Sequence, residues 1–251
     1  MAVTTEQEHE FERAHINRRR ETYLSTNVVD KVRLDPGYAE KVRILDMVLA
    51  GTKERILDVG ANTCGESEYL TTLGYKIIAN DVNEVALELS QERCARFGRP
   101  APQYLSCDAQ QLTLPDESVS FVIFNESLHH MPDAAKALSE AARVLKYGGR
   151  LFLYEPYAYN PYRRLSEVRD YFRGTVEKSF GIRQLRRLLT DAGFTVLSLQ
   201  RHVGAASEWK LAQFGVVHRF MRKLYVAVSK RMLWMFGNIT VLAEKGRVPN
   251  S

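Results

Sequence analysis

Three aspartates stand where apolar runs end. Asp58 lies within Ile56–Val59, beside the turn opened by Gly60; Asp81 follows the run Tyr75–Asn80; Asp108 follows Gln103–Ser106. A carboxylate at such a position accepts hydrogen bonds from hydroxyls and amines. Asp81 is placed to receive both hydroxyls of a ribose, and Asp108 an exocyclic amine such as that of adenine. Each acid alone reads equally as a helix cap or turn residue. Three at successive strand ends of one sheet outline a nucleotide-type groove, because open α/β sheets bind ligands at the carboxyl ends of their strands. The turn Gly60-Ala61-Asn62-Thr63-Cys64-Gly65 would let a ligand approach bare backbone, and the helical run from Glu66 would offer unpaired N–H groups. Read as G-x-G-x-G it has Asn62 and Cys64 at the second and third positions, with Gly65 one place late. Asn tolerates a left-handed backbone, so Asn62 can hold the turn. Taken alone, the turn is equally a plain strand–helix connection.

Acid–base chemistry has its own residues. His129 and His130 follow the fourth apolar run, and an unperturbed imidazole titrates at about 6.5, suited to a general base near neutrality. Adjacent histidines point in different directions, so one of the pair is expected to act, His129 slightly before His130; packing or capping is the alternative for the other. Glu126 and Glu155, also at strand ends, are reserve bases or counter-charges for a cationic acceptor. Tyr154, Tyr157, Tyr159 and Tyr162 crowd a connection rich in Pro and Asn. They read either as core or as walls of an aromatic or hydrophobic pocket.

These residues need a scaffold, and the pattern supplies one. Ile56–Val59, Tyr75–Asn80, Gln103–Ser106, Val119–Phe124 and Arg150–Tyr154 read as strands. The almost wholly apolar Val119–Phe124 is what a strand buried on both faces should be. Helical segments alternate with them: Glu66–Leu73, Asn83–Phe97 with Asn83 as cap, and Asp133–Leu145. The alternation predicts a doubly wound α/β sheet. Before it, Thr4–Tyr23 reads as a charged helix, either a solvated face, a flap or an arm onto a second subunit. Asp35-Pro36 opens a helix whose Tyr38, Val42, Leu45 and Leu49 share an apolar face. After Glu155 come a long Tyr- and Arg-rich connection, a helix over Gly181–Ala192, a strand over Phe194–Arg201, a mainly helical stretch over Glu208–Phe236 and a last strand, Asn238–Ala243. The helix near Gly215–Phe236 carries Val217, Met221, Leu224, Val228, Met232 and Met235 on one stripe, with only positive charges. It reads as an amphipathic cover for the sheet, a homodimer interface or a peripheral contact with anionic lipid.

Composition bounds the class. The 251 residues are 45% hydrophobic and 26% charged, enough for one large domain with a full core. A net charge of +5 is too mild to argue for nucleic acid. Cys64, Cys94 and Cys107 lack C-x-x-C spacing, which suggests a reducing compartment and no metal site. The polar start Met1–Glu10 does not read as a secretory signal, and no apolar run approaches the roughly 18 residues of a membrane span. The expected localisation is cytoplasmic, without a membrane span.

Several segments together carry a family resemblance. Ile56-Leu-Asp-Val-Gly60, Asn80-Asp81, Cys107-Asp108-Ala109, Leu114–Phe121, Ser127-Leu-His-His130 and Arg143–Leu151 resemble the class I S-adenosylmethionine-dependent methyltransferases, more narrowly the small-molecule group with the quinone and sterol methylating enzymes. The likeness covers roughly 55–155 and the closing helix–strand pattern 185–199. It implies a Rossmann-like methyltransferase fold, a doubly wound, seven-stranded, mostly parallel sheet whose last strand, Asn238–Ala243, is antiparallel. It implies S-adenosyl-L-methionine as cofactor. By motif position the methionine part would lie at Gly60, Ala61 and Asn62, beside Asp58. Asp81 with Val82 would hold the ribose, Asp108 with Ala109 the adenine, and Asn125 would line the floor. The expected architecture is an N-terminal helical extension or lid (1–50) and a cofactor-binding domain (51–251) with acceptor-binding insertions at 155–180 and 204–236. Asn62 and Cys64 depart from the family's usual glycines, and Tyr147 from its usual proline before Gly148-Gly149; a reshaped loop in which Gly65 takes over is one resolution of the first departure.

The expected function is methyl transfer to a hydroxyl or other nucleophile of a specialised metabolite, an aromatic or a lipid-like small molecule, with His129, His130 and Glu126 as catalytic candidates. A nicotinamide-dependent oxidoreductase shares the first strand and the ribose acid, but a Tyr-x-x-x-Lys pair in a suitable helix is lacking and Asp108 would have no task. A cofactor-binding scaffold without chemistry is the third reading. Nucleic-acid methylation lacks an Asn-Pro-Pro-Tyr-like motif.

Overall fold

Strand residues of alternating direction build two cores, one on each face of a single sheet. In the computed structural model, which describes residues 5–158, 179–202 and 238–246 (side chains of 5–9 and 11 excepted), β1 (Arg55–Val59), β2 (Lys76–Asp81), β3 (Gln103–Ser106), β4 (Val119–Asn125), β5 (Leu145–Pro156), β6 (Phe194–His202) and β7 (Asn238–Lys245) form one seven-stranded sheet. Its order is β3-β2-β1-β4-β5-β7-β6. β1 to β5 run parallel, and β7 runs antiparallel to both β5 and β6. Leu57, Val59, Val122, Phe124, Leu151 and Leu153 point to one face, where α7 (Ala134–Val144) and α8 (Ile182–Asp191) cover them. Ile56, Phe121, Ile123, Phe152 and Tyr154 point to the other, against α4 (Pro36–Leu49) and α5 (Gly65–Thr72). Burial on both faces is why these strands are continuously apolar.

The helix opened by Asp35-Pro36 forms as expected. The Asp35 carboxylate accepts from the N–H groups of Gly37 and Tyr38, and Tyr38, Val42, Leu45 and Leu49 are buried. The expected single helix over Thr4–Tyr23 is instead α1 (Thr5–Arg18) and α2 (Arg20–Ser25), broken at Arg19. A further helix, α3 (Val28–Leu34), is capped by the Asn27 side chain, which accepts from Val29 and Asp30. α1 and α2 dock through Ile16 and Leu24 on Ala86 and Leu89 of α6 (Glu84–Arg96). Asn83 occupies the cap position of α6 but does not cap with its side chain; Asp81 accepts the Asn83 N–H instead. The Tyr147-Gly-Gly149 turn is a bulge within β5, where pairing with β4 passes from Leu145 directly to Arg150. Among the described residues no helix is long and apolar enough to cross a membrane. Tyr159, Tyr162, most of the 155–180 insertion, the 204–236 insertion and the basic helix near 215–236 lie outside the described residues.

The sheet order reverses between β1 and β4. β2 and β3 extend to one side and β5 to the other, which opens a crevice at the carboxyl ends of β1 and β4.

Candidate active site

The floor of this crevice starts at Gly60. Its backbone is left-handed, φ +68°, and a Cβ there would meet Ser127 Cβ at 2.7 Å, so only glycine lets the β1 and β4 ends approach this closely. Two further left-handed residues follow, Asn62 at φ +47° and Cys64 at φ +53°. Asn62 and Cys64 thus carry left-handed backbone that glycine adopts readily, and Gly65 starts α5. Hydrogen bonds hold it: Ala61 N–H donates to Asn80 O at 2.8 Å, Asn62 N–H to Asp81 Oδ2 at 2.7 Å and Cys64 N–H to Ala61 O at 2.8 Å.

The three aspartates do different things. Asp81 holds the N–H of Asn62 on one oxygen and that of Asn83 on the other, at 2.7 and 2.9 Å, and borders the cavity. Asp108 borders it too, with the backbone and side-chain amide of Gln110 on its carboxylate at 2.8 to 3.2 Å. Asp58 is only 5% exposed and accepts from the Ser67 hydroxyl at 2.6 Å, which ties β1 to α5. Burial pushes its carboxyl up to about 7; the Ser67 hydroxyl opposes the rise, and Glu66 and Asp81 add to it. Because the folded value exceeds the unfolded one of about 3.9, its contribution to stability is complete below that value and is lost as pH rises through the folded one. Asp58→Asn keeps an acceptor for Ser67. From about pH 5 to about pH 8 it should lose less stability than the wild type, by on the order of 2 kcal/mol. Urea unfolding at the two pH values reads this directly, and parallel changes in both proteins would refute it.

The cavity has a volume of about 380 Å³. Every residue expected at the cofactor borders it: Asp58, Gly60, Ala61, Asn62, Asp81, Val82, Asp108, Ala109 and Asn125. So do Asn80 and Asn83, and the side-chain oxygens of Asn80, Asn83 and Asn125 are buried without a hydrogen-bond partner. A buried acceptor left unpaired is costly. Three of them around one cavity, with Asp81 and Asp108, suit a ligand rich in O–H and N–H donors and carrying positive charge.

The catalytic candidates separate. Leu128–His130 form a 3-10 turn after β4, and Glu155 holds it. The Glu155 carboxylate is fully buried; one oxygen accepts from Ser127 N–H at 3.1 Å and Leu128 N–H at 2.8 Å, the other pairs with His129 Nδ1 at 2.7 Å. His129 is 4% exposed and does not border the cavity. His130, its ring 4.1 Å from that of His129, does. Of the two candidates, the less favoured His130 thus borders the cavity while the favoured His129 pairs with Glu155, whose carboxylate, a reserve candidate, is buried beneath the turn. Glu126 borders the cavity from a left-handed backbone, φ +54°, its N–H on Tyr154 O at 2.7 Å. Of the two readings left open for Tyr154 and Tyr157, core or pocket wall, the structure places both in the cores; the Tyr154 hydroxyl accepts from Asn238 at 2.8 Å.

Lys41 of α4 escaped the sequence reading. Its ammonium lies 2.6 Å from Glu126 and 3.7 Å from Glu66, and both acids border the cavity with it. Burial would lower its pKa, but Glu66 and Glu126 more than offset this and hold it above the ordinary lysine value. A signal was present: Lys41 falls three residues after Tyr38 and four before Leu45, on the edge of the apolar stripe. Glu12 of α1 also borders the cavity, and nothing in its sequence context marks it. Among the described residues no group of three His, Cys, Asp or Glu could hold a metal ion.

Residues 57–153 match a family described as a methyltransferase domain. The chain is 34% identical over 119 residues to 27-O-demethylrifamycin SV methyltransferase of Amycolatopsis mediterranei, covering 44% of this chain and 42% of that protein. It is 27% identical to demethylmenaquinone methyltransferase of Tropheryma whipplei (strain Twist), covering 84% and 91%. Several curated relatives are spanned over only 41% to 49% of their own length. Geranyl diphosphate C-methyltransferase of Streptomyces coelicolor A3(2) superposes with a TM-score of 0.64 over 82% of this chain and 79% of that one; at 14% identity this likeness concerns the fold alone.

Proposed function

We propose, on the premise that residues 57–153 form a class I S-adenosylmethionine-dependent methyltransferase domain, that this protein transfers a methyl group from S-adenosyl-L-methionine to a hydroxyl of a small-molecule acceptor. The observation that carries it is the cavity itself, where Asp81, Asp108 and three unpartnered amide oxygens meet His130 at the strand ends. When bound, the cofactor supplies an electrophilic methyl group on a sulfonium. Asp81 takes the ribose hydroxyls, Asp108 with Val82 and Ala109 the adenine, and the Gly60–Thr63 turn the methionine part. Lys41, the only lysine or arginine among the described residues around the cavity, takes the carboxylate end, and Asn125 lies on the floor.

The protein's remaining work is alignment, exclusion of water and removal of one proton. His130 takes the proton that the acceptor hydroxyl releases. Glu126, charge-paired to Lys41, orients the acceptor. Glu155 and His129 fix the turn from which His130 projects. Relatives named for a demethylmenaquinone and a demethylrifamycin support a small-molecule acceptor. α1 and α2, with Glu12 at the cavity, form a lid, and acceptor selectivity resides in the 155–180 and 204–236 insertions. The unpaired thiols of Cys64, Cys94 and Cys107 support a cytoplasmic setting.

Calorimetric titration with S-adenosylhomocysteine tests the reading. Saturable one-to-one binding is expected, with Kd below about 100 µM. No heat and no thermal shift at about 1 mM ligand would remove it.

A further inference from the structure

The turn at the cavity contains an unusual cost. Asn62 and Cys64 are both left-handed, a conformation that Asn tolerates but that disfavours Cys64 by about 1 kcal/mol or more. Thr63 lies between them and borders the cavity. Its carbonyl accepts from Arg93 Nη2 of α6. The guanidinium is buried, 3% exposed, and so is its partner Glu68 of α5, at 2%. Arg93 Nε bonds both Glu68 oxygens at 3.1 and 3.0 Å, and Nη1 reaches the Tyr23 carbonyl of α2 at 3.4 Å. Ser90 donates to the same carboxylate at 2.6 Å. One planar fork thus joins α5, the turn and α2. A buried ion pair is a poor source of net stability against apolar residues of equal size, so another use of it has to be sought.

We propose that Arg93 is a positioning residue for the cofactor turn: by holding the Thr63 carbonyl it keeps the peptide between Asn62 and Cys64 in place, where glycines would need no such clamp. The proposal rests on the reading of the cavity as a cofactor site. It explains how a turn lacking two glycines holds left-handed backbone, and why α2 bears on a turn it does not form. Charge alone does not suffice, since the second and third contacts need the fork that arginine has and lysine lacks.

The test starts with Arg93→Lys, which keeps a cation opposite Glu68 and loses the bonds to Thr63 and Tyr23. Kd for S-adenosylhomocysteine should rise about tenfold, as expected for losing hydrogen bonds to a charged donor. Asn62→Gly with Cys64→Gly, added to the lysine variant, should recover at least about threefold, and more than the same pair gains in the wild type. Wild-type affinity in Arg93→Lys, or an equal effect of the glycines in both backgrounds, overturns the proposal. Amide hydrogen exchange at Asn62 and Cys64, read without ligand, should quicken about tenfold in Arg93→Lys. Unchanged exchange overturns the proposal whatever calorimetry gives. A wild type that binds no S-adenosylhomocysteine removes the cofactor reading instead and leaves the exchange result to decide the role of Arg93. If the lysine variant is unfolded by circular dichroism, the Glu68→Gln and Arg93→Met pair, which buries no lone charge, takes its place with the same expected outcomes.

Discussion

Asp81→Ala should weaken binding of S-adenosylhomocysteine by at least about 100-fold in a calorimetric titration, since each ribose hydroxyl on a carboxylate is worth about 1.5–3 kcal/mol. The loss has a second source. The Asp81 carboxylate also receives the N–H groups of Asn62 and Asn83, at 2.7 and 2.9 Å. Alanine therefore removes the ligand's partner and the brace of the turn together. Asp81→Asn separates the two: its amide oxygen keeps one acceptor, and its affinity should fall between those of wild type and alanine. Asp108→Ala should cost less, about tenfold, because Asp108 also serves Gln110 and braces no part of the turn. An alanine variant at 81 that binds as tightly as wild type, with an unchanged unfolding midpoint, would sink the assignment of the ribose to this strand end.

His130→Gln should lower kcat by about 10²–10⁴-fold, the range for loss of a general base, while Kd for S-adenosylhomocysteine stays within about threefold. His130 borders the cavity, so its loss falls on the proton-removal step. His129→Gln should behave differently. It perturbs a buried contact with Glu155, 2.7 Å long, and should cost about 1–3 kcal/mol of unfolding free energy. Its effect on kcat should be the smaller of the two, arising through a loosened turn. The opposite order, with His129→Gln inactive and His130→Gln fully active, would return the base to the residue the sequence favoured. The pair of variants is best compared at saturating cofactor, so that only the acceptor step is read.

Much of the scaffold was legible because its information is local. β4 is nearly all apolar, and a strand covered on both faces has no other composition available. Asp35-Pro36 announced α4 through a cap and a residue whose φ is already helical. The antiparallel β7 came from the resemblance and not from any feature of Asn238–Ala243 itself. The cavity border was legible for a related reason: Gly60, Asp81 and Asp108 each follow or end a strand, and parallel strands in one sheet bring those ends together, whereas Asn125 came from the resemblance.

What the chain determined by itself is therefore a parallel sheet with acids and a left-handed turn at the ends of its strands, since side-chain periods of 2 and 3.6 and the chemistry of caps are written within a few residues. Only the tertiary structure decided which groups face the ligand. His129 and His130 are neighbours, yet Glu155, 26 residues further on, claims one of them and leaves the other at the cavity. Lys41, at the edge of the α4 apolar stripe, gains its role only when Glu126, 85 residues away, is brought to it. Arg93, which no motif in the sequence singles out, is enclosed by Glu68, the Thr63 carbonyl and the Tyr23 carbonyl. The physical reason is common to all three: a buried polar or charged group is tolerable only with its partners in place, and those partners come from segments that no local pattern connects.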